Sequence, residues 1–364
     1  MNILISLLLF SLIVVFHEFG HFLFARAFGV KVLEFAVGMG PRLVSCKRGE
    51  TEYSLNLLPF GGYCRMLGED LEEYEEAPED FTPEERKALE EENRGRSFAD
   101  KPVWQRFLIV AAGPVFNFIL AFFLAIFIVF WCGVDTSQIS GVMEGYPAEA
   151  AGLQEGDEIV ALDGHQVVFF REVSAWFDLH AGDPVQVTVK RGDDRYTTTI
   201  VPKYNEERGA WLLGILSKGG RIEADTPAKL LYYAFHEVRF TVTSTFDGLV
   251  MLIRGKLSPE YISGPVGIVN TIGETVEETK SYGLLVLMLN LMNLGLILSA
   301  NLGVMNLLPI PALDGGRLLF FAAEALFRRR LDRRVEGYIH LAGFVLLMGF
   351  MIFVMLHDIV RIIR

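Results

Sequence analysis

Charge is almost missing from four stretches of this chain: residues 3–16 (resuming at 22–25), 107–131, 281–305 and 341–356. Each stretch, with its flanking residues, approaches the ~20 residues that the hydrocarbon core of a bilayer demands of a helix. The pattern predicts four transmembrane helices, within residues 1–29, 103–133, 281–316 and 338–364. The sequence between them is of another kind. In residues 30–102, short runs at 32–37, 42–45 and 51–55 read as strands, divided by the turn signals Gly38-Met39-Gly40-Pro41 and Lys47-Arg48-Gly49-Glu50. They predict a β-rich loop lying against the membrane. Residues 134–204 alternate strands, charged turns and one short helix, as a water-soluble α/β domain does. Within residues 205–280, positions 228–253 have helical periodicity with scattered charge, the mark of an amphipathic interfacial helix. Residues 317–337 form a basic connecting loop.

Composition agrees with the pattern. At 364 residues there is room for two or three domains, and 51% hydrophobic content with a mean hydropathy of +0.35 is high for a soluble chain. The net charge of −12 comes almost wholly from residues 69–92, which hold thirteen acidic and two basic residues. That block, with Pro78 and Pro83, reads as a solvated loop or short surface helix. The remainder is close to neutral, so nothing points to nucleic acid. Cys46, Cys64 and Cys132 form neither a CxxC pair nor a disulfide framework, and free thiols are expected. The first cation is Arg26 and no small-residue cleavage site follows the first apolar run, so a retained helix is expected rather than a signal peptide.

The chemistry sits where the lipid-phase pattern is broken. His17-Glu18-Phe19-Gly20-His21 interrupts the first span roughly 21 Å along the helix from Ile3, at ~1.5 Å per residue. Residues i and i+4 share a helix face, so His17 and His21 can hold one metal ion, and Glu18 can reach a water on it as a general base. Ionisable groups within a span cost several kcal/mol unless compensated, which marks them as functional. Two histidines leave a catalytic zinc short of its usual three protein ligands. Asp314 is the best third candidate, because Pro309 and Pro311 break the helix before it and Gly315-Gly316 allow a sharp turn after it. The alternatives stay open at this level. His340, His357 and Asp358 lie near the ends of the fourth span, where interfacial anchoring is the default; Glu34 and His236 read as solvated. Asn56-Leu57-Leu58-Pro59 echoes Asn306-Leu307-Leu308-Pro309, and both stretches are expected to be irregular backbone lining a cavity.

Two resemblances sharpen this reading. Residues 152–164, Gly-Leu-Gln-Glu-Gly-Asp-Glu-Ile-Val-Ala-Leu-Asp-Gly, together with residues 146–151, resemble the signature of a PDZ domain of the bacterial protease-associated kind. Such domains bind extended peptide ends by strand addition. The pentad on the first span, the PDZ insertion, residues 263–268 and residues 306–316 together resemble the site-2 protease family, in its bacterial regulator of sigma-E protease branch. The expected fold is a multi-pass α-helical membrane protein of four transmembrane helices, with a membrane-associated β-rich loop and one inserted α/β PDZ domain. The resemblance implies Zn2+ held by His17, His21 and Asp314, Glu18 as the general base, and Asn306 holding the substrate backbone or developing oxyanion. Gly113 and Asn117 match a further family element with a lesser, structural role.

The expected activity is that of an intramembrane zinc metalloendopeptidase. Its substrates would be single-span membrane proteins such as anti-sigma factors or signal-peptide remnants, trimmed beforehand and screened by the PDZ domain. Two other classes compete: a non-catalytic membrane PDZ receptor, which has no need of Glu18, and a metal transporter, which needs neither the pentad nor a PDZ domain. Arg317, Arg328, Arg329, Arg330, Arg333 and Arg334 make the third connection cytoplasmic by the positive-inside rule. Both termini and the PDZ domain then fall on the outer face of a bacterial cytoplasmic (inner) membrane.

Overall fold

A computed structural model describes residues 2–69, 91–180, 182–207, 209–219, 221–255, 263–329 and 332–363. The acidic block singled out in the sequence falls almost entirely outside these residues. The chain divides into two compact units, Met1–Leu124 with Ser258–Arg364, and Ala125–Leu257.

The first unit opens with helix α1, Asn2–Ala27. Gly29, at φ +70°, ends it: the Val30 N–H reaches the Ala25 carbonyl and the Gly29 N–H the Arg26 carbonyl, a Schellman closure that needs a left-handed residue. Strands β1, Val32–Arg48, and β2, Thr51–Met66, follow as one long antiparallel hairpin. Each strand folds over on itself. Residues 34–37 pair on one side with 52–55 and on the other with 62–65, and residues 44–48 pair back onto 51–55. The result is a curled sheet whose edges are the 42–48 and 62–66 segments. Gly38 and Gly40 (φ +82° and +84°) give the fold-over in β1, so the expected turn at 38–41 is a kink within one strand. Residues 56–62, expected to be irregular, belong to β2.

Glu34, expected in solvent, is 3% exposed. It accepts from Ser54 Oγ at 2.5 Å and from Arg42 at 3.0 Å, which satisfies a charge that could not otherwise be buried. Helix α2, Val103–Cys132, carries the second long apolar run. Phe22, Ala25, Cys64, Met66, Ile109 and Val110 form the core that joins α1, the curled sheet and α2.

The second unit is β-rich. Strands β3 (Ile139–Val142), β4 (Glu158–Leu162), β5 (His165–Gln166), β6 (Val185–Arg191), β7 (Asp194–Ile200) and β8 (Ile215–Ser217) are its main elements. The order β5-β4-β6-β7 makes an antiparallel four-stranded sheet, and β8 pairs with β3. Asp163 and Gly164, both at positive φ, make the two-residue turn between β4 and β5. Helix α3, Phe170–Leu179, closes the core of Ile159, Leu162, Val173, Val187 and Val189. The sheet pairing runs to Arg221–Ile222, beyond the expected boundary at residue 204.

Helix α4, Pro227–Ile253, was expected as an interfacial element, yet it packs within this unit. Arg239 bonds Glu172 at 2.6 Å and Arg171 pairs with Glu237, while Leu230, Tyr233 and Phe240 pack against the core around Phe169. His236, expected to be solvated, is buried by this docking.

The chain then returns to the first unit. Helix α5, Pro265–Thr279, is followed by α6, Leu284–Leu307. Residues 308–313 are non-helical, and Asp314 begins a separate helix α7, Asp314–Phe327. The third apolar helix therefore lies within the expected 281–316 segment, and much of the expected basic loop is helical. Arg106 at the start of α2 bonds Glu324 of α7 with both carboxylate oxygens, at 2.7 and 2.8 Å, and Arg317 pairs with Glu69. Helix α8 spans Arg333–Ile363. On it, Asp358 is fully buried and accepts the Gly264 and Gly267 N–H groups at 3.2 and 2.8 Å. It caps the positive end of α5 rather than anchoring at an interface. Among the described residues, four helices are long and apolar enough to cross a membrane: Ile3–Ala27, Val103–Cys132, Leu284–Leu307 and Arg334–Arg361.

One buried charge in the β-rich unit gives a pH dependence. Asp157 accepts from the Arg191 guanidinium at 2.7 and 2.8 Å and from the Gln154 N–H at 2.9 Å. Burial pushes its carboxyl up, but the Arg191 and Gln154 hydrogen bonds prevail and hold it below the ordinary carboxylate value. A carboxylate lowered by folding contributes stability that is complete above about pH 4 and fades as the pH falls through the lowered native value. Asp157→Asn should therefore destabilise the 139–200 region by about 2 kcal/mol at pH 7. The difference from wild type should shrink steadily below pH 4. Hydrogen exchange across that region, followed against pH, measures both.

Candidate metal centre

The pentad on α1 and the start of α7 meet. His17 Nε2 and His21 Nε2 are 3.2 Å apart, and Asp314 Oδ2 lies 3.2 Å from the first and 3.5 Å from the second. Both imidazoles are buried. Among the described residues this is the group of three that could hold a metal ion. Helical spacing brings the two histidines together, and the break at residues 308–313 lets α7 start beside them.

The outer nitrogens of the rings are held by α2. His21 Nδ1 donates to the Ile109 carbonyl at 2.9 Å, which leaves its Nε2 as a lone pair. His17 Nδ1 lies 3.0 Å from the amide of Asn117, which is fully buried. The Oδ1 of that amide has no partner among the described residues. Turned toward His17, Oδ1 accepts the Nδ1–H and leaves the second Nε2 as a lone pair too. Close approach of α2 depends on Gly113, where a Cβ would stand 2.5 Å from His21 Cε1 and 2.8 Å from His17 Cε1.

Zinc fits this arrangement. A tetrahedral zinc with bonds of about 2.0–2.1 Å sets its ligands about 3.3 Å apart, close to the separations found. Asp314 Oδ2 is buried without a hydrogen-bond partner among the described residues, and it faces two lone pairs. With the Asn117 amide turned in this way, three acceptors converge without a proton between them, and a cation satisfies all three. Outer hydrogen bonds that fix a ligand histidine's tautomer are the usual support of such a site.

Glu18 points to the sheet side. Its Oε2 accepts the Cys64 N–H at 3.1 Å, from the 62–66 edge of the curled sheet. Asn306 is half-buried near the end of α6 and is not one of the three converging side chains. The Ile109 carbonyl was invisible to sequence reasoning, since any residue supplies one. Asn117 carried a signal, being the lone amide in an uncharged span. His340 and Asp358, read as anchors, hold loops of the protein instead.

A His-Glu-x-x-His helix completed by an aspartate from a distant helix defines a metallohydrolase centre built on apolar helices. The profile of peptidase family M50 matches residues 5–350. A Clostridium perfringens protein named as a zinc metalloprotease is 33% identical over 99% of both chains. The zinc metalloprotease RasP of Geobacillus kaustophilus is 32% identical, over 98% of this chain and 97% of its own. The PDZ domain of an SdrC-like protein from Listeria monocytogenes is similar to 23% of this chain and 88% of its own, at 24% identity and a TM-score of 0.21. The chain belongs to peptidase family M50, the site-2 protease family, and is a zinc metalloprotease.

The fit at Gly113 is testable. Gly113→Ala should drive a methyl group into both ligand rings and weaken zinc binding by about 10-fold or more. Zinc per chain under chelator competition, compared with a Gly248→Ala control in open space, reads the effect.

Proposed function

We propose that this enzyme hydrolyses peptide bonds within transmembrane segments of single-span membrane proteins, using His17, His21 and Asp314 as zinc ligands and Glu18 as the proton carrier. The observation that carries the reading is the meeting of those three donor atoms on helices whose surroundings are apolar. When bound, zinc polarises the scissile carbonyl and lowers the pKa of water. The Glu18 carboxylate takes one proton from water as its oxygen adds to the carbonyl carbon. It then gives that proton to the amide nitrogen as the C–N bond breaks, leaving a carboxylic acid and an amine, and the acid's proton passes to the amine to give carboxylate and ammonium. The Cys64 N–H on Oε2 supports this role, because it fixes the carboxylate and leaves Oε1 for the proton. Asn306 would hold the substrate backbone or the oxyanion.

A transmembrane helix hides its carbonyls in internal hydrogen bonds, so substrates must unwind locally, and Gly- or Pro-containing segments are preferred. The curled sheet supports an extended binding mode. Leu43 and Val44 are exposed on its 42–48 edge, and Cys64 lies on the edge beside Glu18. Leu55 pairs with both Val37 and Val44, so it is interior to the sheet, and only Val44 probes an edge.

The arginines following α7 favour a cytoplasmic side for the metal, with the termini and β-rich unit on the outer face of the bacterial cytoplasmic membrane. The β-rich unit is read as a PDZ domain that binds peptide ends. A groove of about 520 Å³ lined by Phe170, Phe177, Tyr204, Trp211 and Leu213 beside β8 supports that.

Glu18→Gln should reduce cleavage of a reporter span by about 10²–10⁴-fold while zinc stays near one per chain. Undiminished cleavage would remove Glu18 from the chemistry. Zinc binding with no cleavage by the wild type would favour a receptor or transporter. Val44→Pro should slow cleavage without loss of zinc if the 42–48 edge receives substrate.

A further inference from the structure

The loop that delivers Asp314 depends on contacts outside itself. Between α6 and α7, Pro309 and Pro311 have no N–H to donate, and Ala312 adopts φ +78°, a left-handed conformation that a non-glycine residue adopts only when its surroundings hold it. Within the loop, the Ile310 N–H reaches the Leu308 carbonyl at 2.7 Å and the Leu313 N–H reaches the Ile310 carbonyl at 3.2 Å. The Ala312 N–H instead goes outside, to His340 Nδ1 on α8 at 2.9 Å. Three residues on, Gly343 lets Pro311 seat against α8. A Cβ there would stand 2.7 Å from the Pro311 carbonyl oxygen and closer still to its ring. The Phe320 ring of α7 lies 5.5 Å from the His340 ring at 74°.

The tautomer carries the argument further. Because Nδ1 accepts from Ala312, the His340 proton sits on Nε2, and Nε2 is buried with no hydrogen-bond partner among the described residues. An interfacial anchor would turn that nitrogen to water. A purely packing side chain at this position would be apolar, since a buried donor without an acceptor is unfavourable. What the imidazole supplies here is an acceptor aimed at the backbone two residues before the metal ligand.

We propose that His340 is a positioning residue for Asp314: from α8 it fixes the strained Pro309–Leu313 turn and so sets where the third ligand carboxylate stands. The inference rests on the reading of Asp314 as a ligand. His340 is not one of the three converging donors; its Nδ1 is taken up by the Ala312 N–H. Side chains that orient metal ligands typically change metal affinity or activity by about 10–100-fold when removed.

The test uses the full chain in detergent with four variants: His340→Leu, His340→Asn, Gly343→Ala and Asp314→Asn. Asparagine can present Oδ1 where the imidazole presents Nδ1, so it restores the acceptor that leucine lacks. Three quantities are read: the rate of zinc release to a chelator, the visible spectrum of the cobalt(II)-substituted protein, and kcat and KM on a reporter span. Thermal unfolding of the zinc-free protein monitors the fold. His340→Leu should release zinc about 10–100-fold faster, shift the cobalt spectrum and lower kcat with little change in KM. His340→Asn should recover most of the loss, and Gly343→Ala, which displaces Pro311, should reproduce it.

Wild-type zinc release and an unshifted cobalt spectrum in His340→Leu would overturn the proposal. So would equal losses in the leucine and asparagine variants with lowered stability of the zinc-free protein, which would make the residue a packing element. If Asp314→Asn leaves zinc release unchanged, the ligand reading itself fails. If Asp314→Asn speeds release and His340→Leu does not, only the positioning role falls.

Discussion

The constraint that shapes the first unit is electrostatic. Two imidazole nitrogens and a carboxylate oxygen are brought within 3.5 Å of one another among apolar helices, and with Asn117 Oδ1 turned to His17 all three are acceptors. Such a cluster repels itself unless a cation sits among its lone pairs. It also has to be held in place before the cation arrives, because flexible ligands would separate. The Ile109 carbonyl and the Asn117 amide do this for the rings, and the Gly113 backbone lets α2 come near enough to supply them. The sequence of α2 is thus set at two positions, Gly113 and Asn117, by the chemistry of α1.

The remaining architecture places two further components against that cluster. The curled sheet brings the Cys64 N–H to Glu18, so the proposed proton carrier is oriented by a strand edge rather than by its own helix. Helix α7 is tied at Arg106–Glu324 and Arg317–Glu69, and the Leu318 and Phe321 side chains enter the core shared with α1 and α2. Asp314, the first residue of α7, consequently joins a well-anchored helix to a preceding loop that is not. The ion pairs fix the helix body, while α8 fixes the loop through the Ala312 N–H and the seat for Pro311.

Much of this was legible in the sequence where a local rule applied. The two histidines and Glu18 follow from i, i+4 spacing in an uncharged run, and the end of α1 from Gly29. Asp314 was the best of several candidates on the prolines and glycines around it, and the family resemblance singled it out. What sequence reasoning missed depends on contacts between distant segments. His340 and Asp358 sit near helix ends, where solvent is the ordinary partner, and the loops that claim them lie 28 and more than 90 residues away. Glu34 looked solvated because an alternating strand does not reveal which side chains will surround a carboxylate. The doubling of β1 and β2 was hidden for a related reason. Positive-φ glycines at 38 and 40 mark a kink as readily as a turn, and only the pairing partners decide between them.

The order of the ligands along the chain has a consequence for synthesis. His17 and His21 emerge first, and roughly 300 residues, including the whole β-rich unit, must be made before Asp314 appears. At a translation rate of about 5–20 residues per second, that interval lasts about 15 s to a minute. During it the nascent chain carries Glu18 and two imidazoles but lacks the third donor of the proposed centre, so on that reading a growing polypeptide threaded beside it meets no finished cutting site.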